Sequence, residues 1–214
     1  MKLSLLITFL AASVKAQFEK RVVGGSNAAA GEFSYQVSVY YGTSHECGGS
    51  IIDSRHVLTA AQCIFKPIAS RFKVRVGSTK YISGGKSFQV SKITQHSDYN
   101  ADTFDNDIAI LELQDNLEFG PNVAAVELPF SEQDTPETGA KCSVTGWGYP
   151  THGAGHLTAD LRFVYLDIVD HETCLKAYDS TNLKVNDKSV CAGVPGSSGA
   201  KGLVGGGGIL WPAC

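Results

Sequence analysis

The sequence feature that most constrains the fold is a succession of short segments in which polar and apolar residues alternate. They run from residue 35 to residue 113, and the clearest are 36–40, 72–76 and 107–113. Successive side chains of a strand point to opposite faces, so this alternation predicts strands with one buried face. A further segment, 87–93, slips by one residue, which predicts a β-bulge. Short strands at even spacing, separated by Gly, Ser, Asn and Asp, predict an all-β sandwich or barrel.

A second strand-rich block follows a proline-containing connection at 114–129. Its clearest predicted strands are 141–149 and 161–169, and residues 170–178 form the best candidate for a helix. Asp170 can cap that helix at its N-terminus, with Thr173 at the third helical position. The 23 glycines and the single methionine also favour a turn-rich β fold over a helical one.

Composition excludes several classes of protein. Hydrophobic residues make up 43% of the 214 residues and charged residues 18%, which is typical of a folded domain and not of a disordered chain. The net charge is −3 and the chain has no Lys/Arg block, so we expect no nucleic-acid partner. No apolar run reaches the roughly 18 residues of a membrane-spanning helix, so we expect no membrane partner either.

The N-terminal segment reads as a targeting sequence. A lysine at position 2, an apolar run at 3–10 and small residues around 14–16 are the order found in secretory signals. We therefore assign residues 1–16 to a signal peptide and residues 17–21 to a short propeptide. Secretion predicts that the six cysteines form three disulfides, although six cysteines allow fifteen pairings and composition does not choose among them. Zinc is not expected, because the chain has no C-x-x-C pair.

Six segments in order resemble a known family. They are RVVGG at 21–25, CGGSII at 47–52, LTAAQC at 58–63, DNDIAIL at 105–111, TGWG at 145–148 and CAG at 191–193. Together they resemble the trypsin-like (chymotrypsin-fold) serine proteases, and in detail the mite digestive trypsins and the inactivated protease paralogues of the scabies mite. The resemblance implies two six-stranded Greek-key barrels, at 22–125 and 126–214, with an active site between them. It also implies that the second barrel is incomplete, because relatives continue beyond the end of this chain.

The resemblance assigns positions in this chain to the three catalytic residues of the family, and two of these positions carry a different residue. Asp107 matches the triad acid, whereas Gln62 stands at the histidine position of LTAAHC. An ungapped alignment from the CAG segment puts Gly207 at the serine position, and a shift of one residue puts Gly206 there. An amide does not exchange protons near neutral pH, and glycine has no nucleophile. These matches predict that the chain is not an enzyme.

Other functional positions of the family are also changed. Arg21 and Val22 match the activation cleavage, but residues 202–214 contain no carboxylate to receive the new amino terminus. Lys201, or Ala200 after the same shift, stands where tryptic enzymes have the aspartate of the specificity pocket. The segment that matches the calcium loop, 77–87, has no acidic residue, so we predict neither a metal nor another cofactor.

The resemblance also implies how the six cysteines pair in disulfides. It leads us to predict the pairs Cys47–Cys63, Cys174–Cys191 and Cys142–Cys214. The third pair requires that the glycine-rich tail is native, and two alternatives stay open for that tail: a genuine shortened end or a frameshifted or incomplete product.

The resemblance implies a secreted monomeric pseudoprotease that binds protein in the gut lumen. Host complement or defence proteins are the partners that it implies. Two alternatives remain: a residually active serine endopeptidase, or a truncated paralogue without function.

Overall fold

The structure is a computed structural model, and it describes residues 25–128, 136–149, 156–179, 185–186 and 189–193. Within these ranges the chain forms ten strands, two short 3₁₀ helices and one α-helix. The strands are β1 (Ser26–Asn27), β2 (Gln36–Tyr41), β3 (Ser44–Ile51), β4 (His56–Thr59), β5 (Phe72–Val76), β6 (Lys86–Gln95), β7 (Ala109–Leu113), β8 (Lys141–Gly146), β9 (Arg162–Val169) and β10 (Cys191–Gly193). The 3₁₀ helices are Ala61–Cys63 and Ala69–Arg71, and the α-helix α1 is His171–Tyr178.

Six of these strands close into an antiparallel barrel in the order β2-β3-β4-β7-β6-β5, with β2 paired to β5. Most of the alternating apolar residues predicted from the sequence point into this barrel, and burying them is the main source of its stability, whereas Ile108 of the segment 107–113 is 43% exposed. The most buried of the alternating residues are Val37, Val39, Phe72, Val74, Val90, Leu111 and Leu113, and β3 and β4, which the alternation did not predict, add Ile51 and Val57. The all-β class and the first barrel are therefore confirmed.

Two irregularities shape the barrel wall. The register shifts between Val39 and Tyr40 on β2, and again between Val90 and Lys92 on β6. The second shift is the bulge predicted from the slip in the alternating pattern at 87–93. A bulge bends its strand and increases the local twist, which helps a sheet of six strands to curve into a closed barrel.

A second antiparallel sheet contains β8, β9 and β10, and the N-terminal strand β1 joins it by pairing with β9. Helix α1 follows β9 directly, and the Asp170 carboxylate accepts the backbone N–H of Thr173 at 2.9 Å, as the sequence predicts. The closure of this sheet into a second barrel, its incomplete end and the boundary at residue 126 stay predictions. No helix in the part of the chain that the structure describes is long and apolar enough to cross a membrane.

The two halves of the fold meet along the loop after β5. The backbone N–H of Leu161 donates to the Thr79 carbonyl at 2.6 Å, and the Trp147 indole N–H donates to the same oxygen at 2.8 Å. One residue further on, the Lys80 ammonium lies 2.7 Å from the Asp160 carboxylate. These contacts fix the β8–β9 sheet against the first barrel.

Candidate functional site

The 3₁₀ turn that follows β4 presents the first residue of the candidate site. Ala61 and Cys63 are buried, and Gln62 lies half-buried between them. A disulfide from Cys63 to Cys47 ties this turn to β3. The bridge closes a loop of 16 residues, which is worth about 3 kcal/mol in the chain-entropy account. The short helix and the disulfide together hold the Gln62 backbone in one place.

Gln62 binds the Asp107 carboxylate through two hydrogen bonds. Its backbone N–H donates to Oδ1 and its side-chain Nε2 donates to Oδ2, each at 2.7 Å. Burial raises the pKa of Asp107, and the hydrogen bonds from Gln62 and Ala61 oppose that rise. The pKa of the nearby Tyr99 hydroxyl is also raised, to about 12. Burial is the larger cause, and the negative charge of Asp107 is the smaller one. The site is therefore a partly buried carboxylate that an amide holds in a fixed orientation.

The loop that leads into Asp107 is held by its own polar groups. The Asn100 side-chain oxygen accepts the backbone N–H groups of Asp102 and Thr103 at 2.9 and 3.1 Å. Phe104 and Asn106 have left-handed backbones, with φ of 57° and 55°. A left-handed non-glycine residue costs of order 1–3 kcal/mol and persists only where neighbouring contacts impose it.

One contact links this loop to the second half of the fold. The Asn186 amide donates to the Asp105 carboxylate at 2.7 Å, across a sequence separation of 81 residues. Asn106 closes the loop on its other side, since its amide donates to the Asp98 carbonyl at 3.1 Å. Sequence reasoning missed Asn186, and the only available signal was that Asp105 begins the DNDIAIL segment.

The chemistry of the Gln62–Asp107 pair follows from its donors and acceptors. The amide donates through Nε2 and offers Oε1 as an acceptor, so it can orient a polar ligand. It has no group that titrates between pH 4 and 10, and it therefore cannot carry a proton from one reacting atom to another. The pair can hold and position groups in the site.

The remaining predicted positions are only partly described. Arg21, Val22, Lys201, Gly206, Gly207 and Cys214 lie outside the described residues. The Cys47–Cys63 and Cys174–Cys191 disulfides are present, and Cys142 is buried on β8. Across the described ranges, no three His, Cys, Asp or Glu side chains lie close enough to hold a metal ion.

Comparison with known proteins gives the family of the chain. The family model described as Trypsin matches residues 22–210. Trypsin delta of Drosophila melanogaster is 35% identical over 198 residues, which cover 91% of this chain and 77% of that protein. Trypsin alpha of the same fly is 34% identical over 198 residues, covering 91% and 76%. Trypsin Blo t 3 of Blomia tropicalis is 39% identical over 177 residues, covering 82% and 66%.

These comparisons contradict the prediction that the chain is not an enzyme. The relatives that it matches over most of its length are named trypsins, and their identity of about 35% indicates a peptidase. The prediction was drawn from single residues at Gln62 and at the glycines near residue 207, whereas the comparisons weigh the whole chain.

Proposed function

Because the chain belongs to the trypsin family of serine proteases, we propose that it is a peptidase whose cleft lies beside the Gln62–Asp107 pair. The observation that carries this proposal is the match to relatives named trypsins across 91% of the chain. The closed barrel, the Cys47–Cys63 turn and the Asp107 carboxylate supply the framework on which such a site is built. The reaction is hydrolysis of a peptide bond in a bound polypeptide.

The Gln62–Asp107 pair sets the expected rate of this peptidase. We propose that Gln62 takes the place of the triad histidine, and that Gly207 or Gly206 takes the place of the serine. Water is then the nucleophile: its oxygen bonds to the peptide carbonyl carbon, the C–N bond breaks, and one water proton goes to the leaving amine, which leaves a carboxylic acid and a free amine. Loss of triad residues lowers kcat by as much as about 10⁶-fold, yet leaves about 10³–10⁴-fold catalysis over water from binding and oriented dipoles. We therefore expect slow turnover.

Secretion belongs to the same proposal. Residues 1–16 have the order of a secretory signal, and the two disulfides found among the described residues suit an oxidising compartment. Activation by cleavage between Arg21 and Val22 is the corresponding processing step. We propose release of the chain to the extracellular space, with the gut lumen as its site of action by family resemblance.

A second candidate function is retention of a protein partner in the cleft. The specific observation in its favour is that the Gln62 backbone N–H and Nε2 each already donate to Asp107, so the pair is fixed before any ligand arrives. Because the site is already ordered, little conformational entropy is lost when a partner binds. Slow cleavage then prolongs the complex. Host complement and defence proteins are the partner class that the family resemblance supplies.

Peptide turnover by the purified chain tests the first candidate. The substrates are peptides with Arg, Lys, Phe or Ala before the cleaved amide bond, followed for days because slow rates are expected. The test variant is Asp107→Asn, and the matched control is Asp115→Asn, an exposed acid outside the site. We expect turnover above buffer that falls in the first variant and not in the second. Equal rates in both variants, or no turnover above buffer, would contradict the proposal.

A further inference from the structure

The charges of this chain are segregated along the sequence. Residues 64–97 contain seven of the 18 basic residues and no acidic one, although the whole chain has a net charge of −3. The seven are Lys66, Arg71, Lys73, Arg75, Lys80, Lys86 and Lys92. This segment forms β5, β6 and the turns around them, so the barrel collects its positive charge on one part of its wall.

The strand register places two of these cations on one outer face, and a third comes just before the strand. Phe72, Val74 and Val76 point into the core of the barrel, so Lys73 and Arg75, which alternate with them on β5, point outward. Lys73 and Arg75 therefore lie on one outer face at a spacing of roughly 6.6–6.8 Å, and the exposed Arg71 comes just before them, at the end of the preceding 3₁₀ helix. We call these three residues the basic stripe.

The neighbours of the basic stripe leave its charges uncompensated. On β2, Ser38 lies opposite Arg75 and Tyr40 opposite Lys73, and on β6, Gln89 lies opposite Lys73. None of these neighbours is acidic. In the described part of the chain, no acidic side chain lies within ion-pair distance of the stripe, whereas Lys80 and Lys141 each have an aspartate partner. Acidic residues first appear on the flanking strands, as Glu46 on β3 and Glu112 on β7.

Two of the three cations are held in place by aromatic rings. The Arg71 guanidinium lies 5.0 Å from the centre of the Tyr41 ring, and the Arg75 guanidinium lies 5.8 Å from that of Tyr40. Arg75 also donates to the Gly84 carbonyl at 2.5 Å. Side chains that are already ordered lose little entropy when a ligand binds, so the stripe is preorganised for an anionic partner.

Exposed apolar side chains lie at one end of the basic stripe. The Phe65 ring lies 4.9 Å from the Tyr41 ring on which Arg71 stacks, and Phe65 is 54% exposed. Ile68, which opens the turn that leads to Arg71, is 51% exposed. A partner that uses the whole surface must offer apolar groups beside its anionic groups, which a polypeptide does and a sulfated polysaccharide does not.

We propose that the basic stripe and the adjoining Phe65 and Ile68 form a docking surface for an extended acidic polypeptide. Alternate side chains of an extended peptide repeat at roughly 6.6–6.8 Å, so carboxylates at every second residue match the spacing of Lys73 and Arg75, and a further carboxylate along the peptide can pair with Arg71. β5 is paired on both sides within the closed barrel, and recognition therefore runs through side chains without addition of a strand. This surface is separate from the Gln62–Asp107 pair, and the proposal does not depend on turnover.

Fluorescence anisotropy with a labelled peptide tests the proposal. The probe is a peptide of about 12 residues with Glu at alternate positions and Leu, Ser and Tyr between them, a length of about 40 Å when extended. It contains no Lys or Arg, so tryptic cleavage does not affect the signal. We expect saturable binding that weakens at least tenfold between about 0.05 and 0.3 M salt, because the attraction is between exposed charges.

Matched variants locate the binding surface. The test variant is Arg71→Gln with Lys73→Gln, and we expect it to bind the peptide at least tenfold more weakly. The control is Lys92→Gln, an exposed lysine of the same barrel that lies opposite Glu112, and we expect less than a twofold change. Equal losses in both proteins would overturn the proposal, as would absence of peptide binding at low salt. Binding of a sulfated oligosaccharide through the stripe in place of the peptide would overturn the assignment to a polypeptide. Thermal melting checks that each variant is folded.

Discussion

Replacing Gln62 by leucine should destabilise the protein in a way that depends on pH. Leucine has a similar size but no donor, so Asp107 loses the 2.7 Å hydrogen bond from Nε2 and keeps the one from the backbone. Removing a hydrogen bond to a charged, partly buried group costs about 1.5–3 kcal/mol. We expect that loss in the free energy of unfolding at pH 7.

The pH dependence follows from the carboxylate. Burial already raises the pKa of Asp107 above its unfolded value, so the native protein binds this proton more tightly than the unfolded chain. The contribution of Asp107 to stability therefore falls as the pH rises from the unfolded pKa through the folded one, and it is then constant. Gln62→Leu removes a donor that favours the charged form, which raises the folded pKa further and enlarges this fall.

Urea denaturation from about pH 4 to pH 8 measures the effect. The matched control is Gln95→Leu, because the Gln95 amide donates to the neutral Ala61 carbonyl at 3.0 Å and not to a carboxylate. The difference between wild type and Gln62→Leu should grow with pH, whereas that for Gln95→Leu should stay flat. A flat difference for Gln62→Leu would show that Asp107 does not depend on this donor, and would refute the reasoning.

Two further substitutions test the barrel. Gly85→Ala should destabilise it by at least about 2 kcal/mol in urea denaturation, because φ is +59° and the new Cβ would lie 2.0 Å from the Val76 carbonyl oxygen. Gly120→Ala, whose Cβ would meet nothing within 4 Å, is its control, and equal losses would contradict the explanation. Phe72→Ala should cost about 3–5 kcal/mol, because that side chain is fully buried. The exposed Phe119→Ala should cost under about 1 kcal/mol by the same measurement, and a comparable loss there would contradict a core at Phe72.

Alternation along the sequence predicts four of the six strands of the barrel, β2, β5, β6 and β7, but it predicts neither β3 and β4 nor any pairing between strands. Residues 72–76 alternate strictly, and they form β5 with the predicted face inward. The pairing of β2 with β5, and of β4 with β7, joins segments that are 30 or more residues apart, and a pattern of period two contains no information about that choice. The resemblance implied six strands for this barrel, and the order in which they pair comes from the structure.

The site was predictable to the extent that sequence motifs cover it. Gln62 and Asp107 both fall in motifs, and the structure places their side chains in contact. The left-handed Phe104 gives no sign in the sequence, because phenylalanine has no preference for that conformation. The Asn186–Asp105 contact was also unpredictable, since it arises only when the two halves of the fold pack together.

The Gln62–Asp107 pair separates two properties that a histidine would combine. A buried carboxylate requires a donor for stability, and the glutamine amide supplies one at 2.7 Å, as an imidazole N–H would. Proton transfer requires in addition a group that titrates near neutral pH, and the amide does not. A glutamine in place of a histidine therefore keeps the hydrogen bond to Asp107, so the fold around Asp107 stays intact while the chemical step slows. Stability and turnover should respond independently to substitution at residue 62. The free energy of unfolding depends on a hydrogen-bond donor to Asp107, whereas the rate of the chemical step depends on a base that accepts a proton.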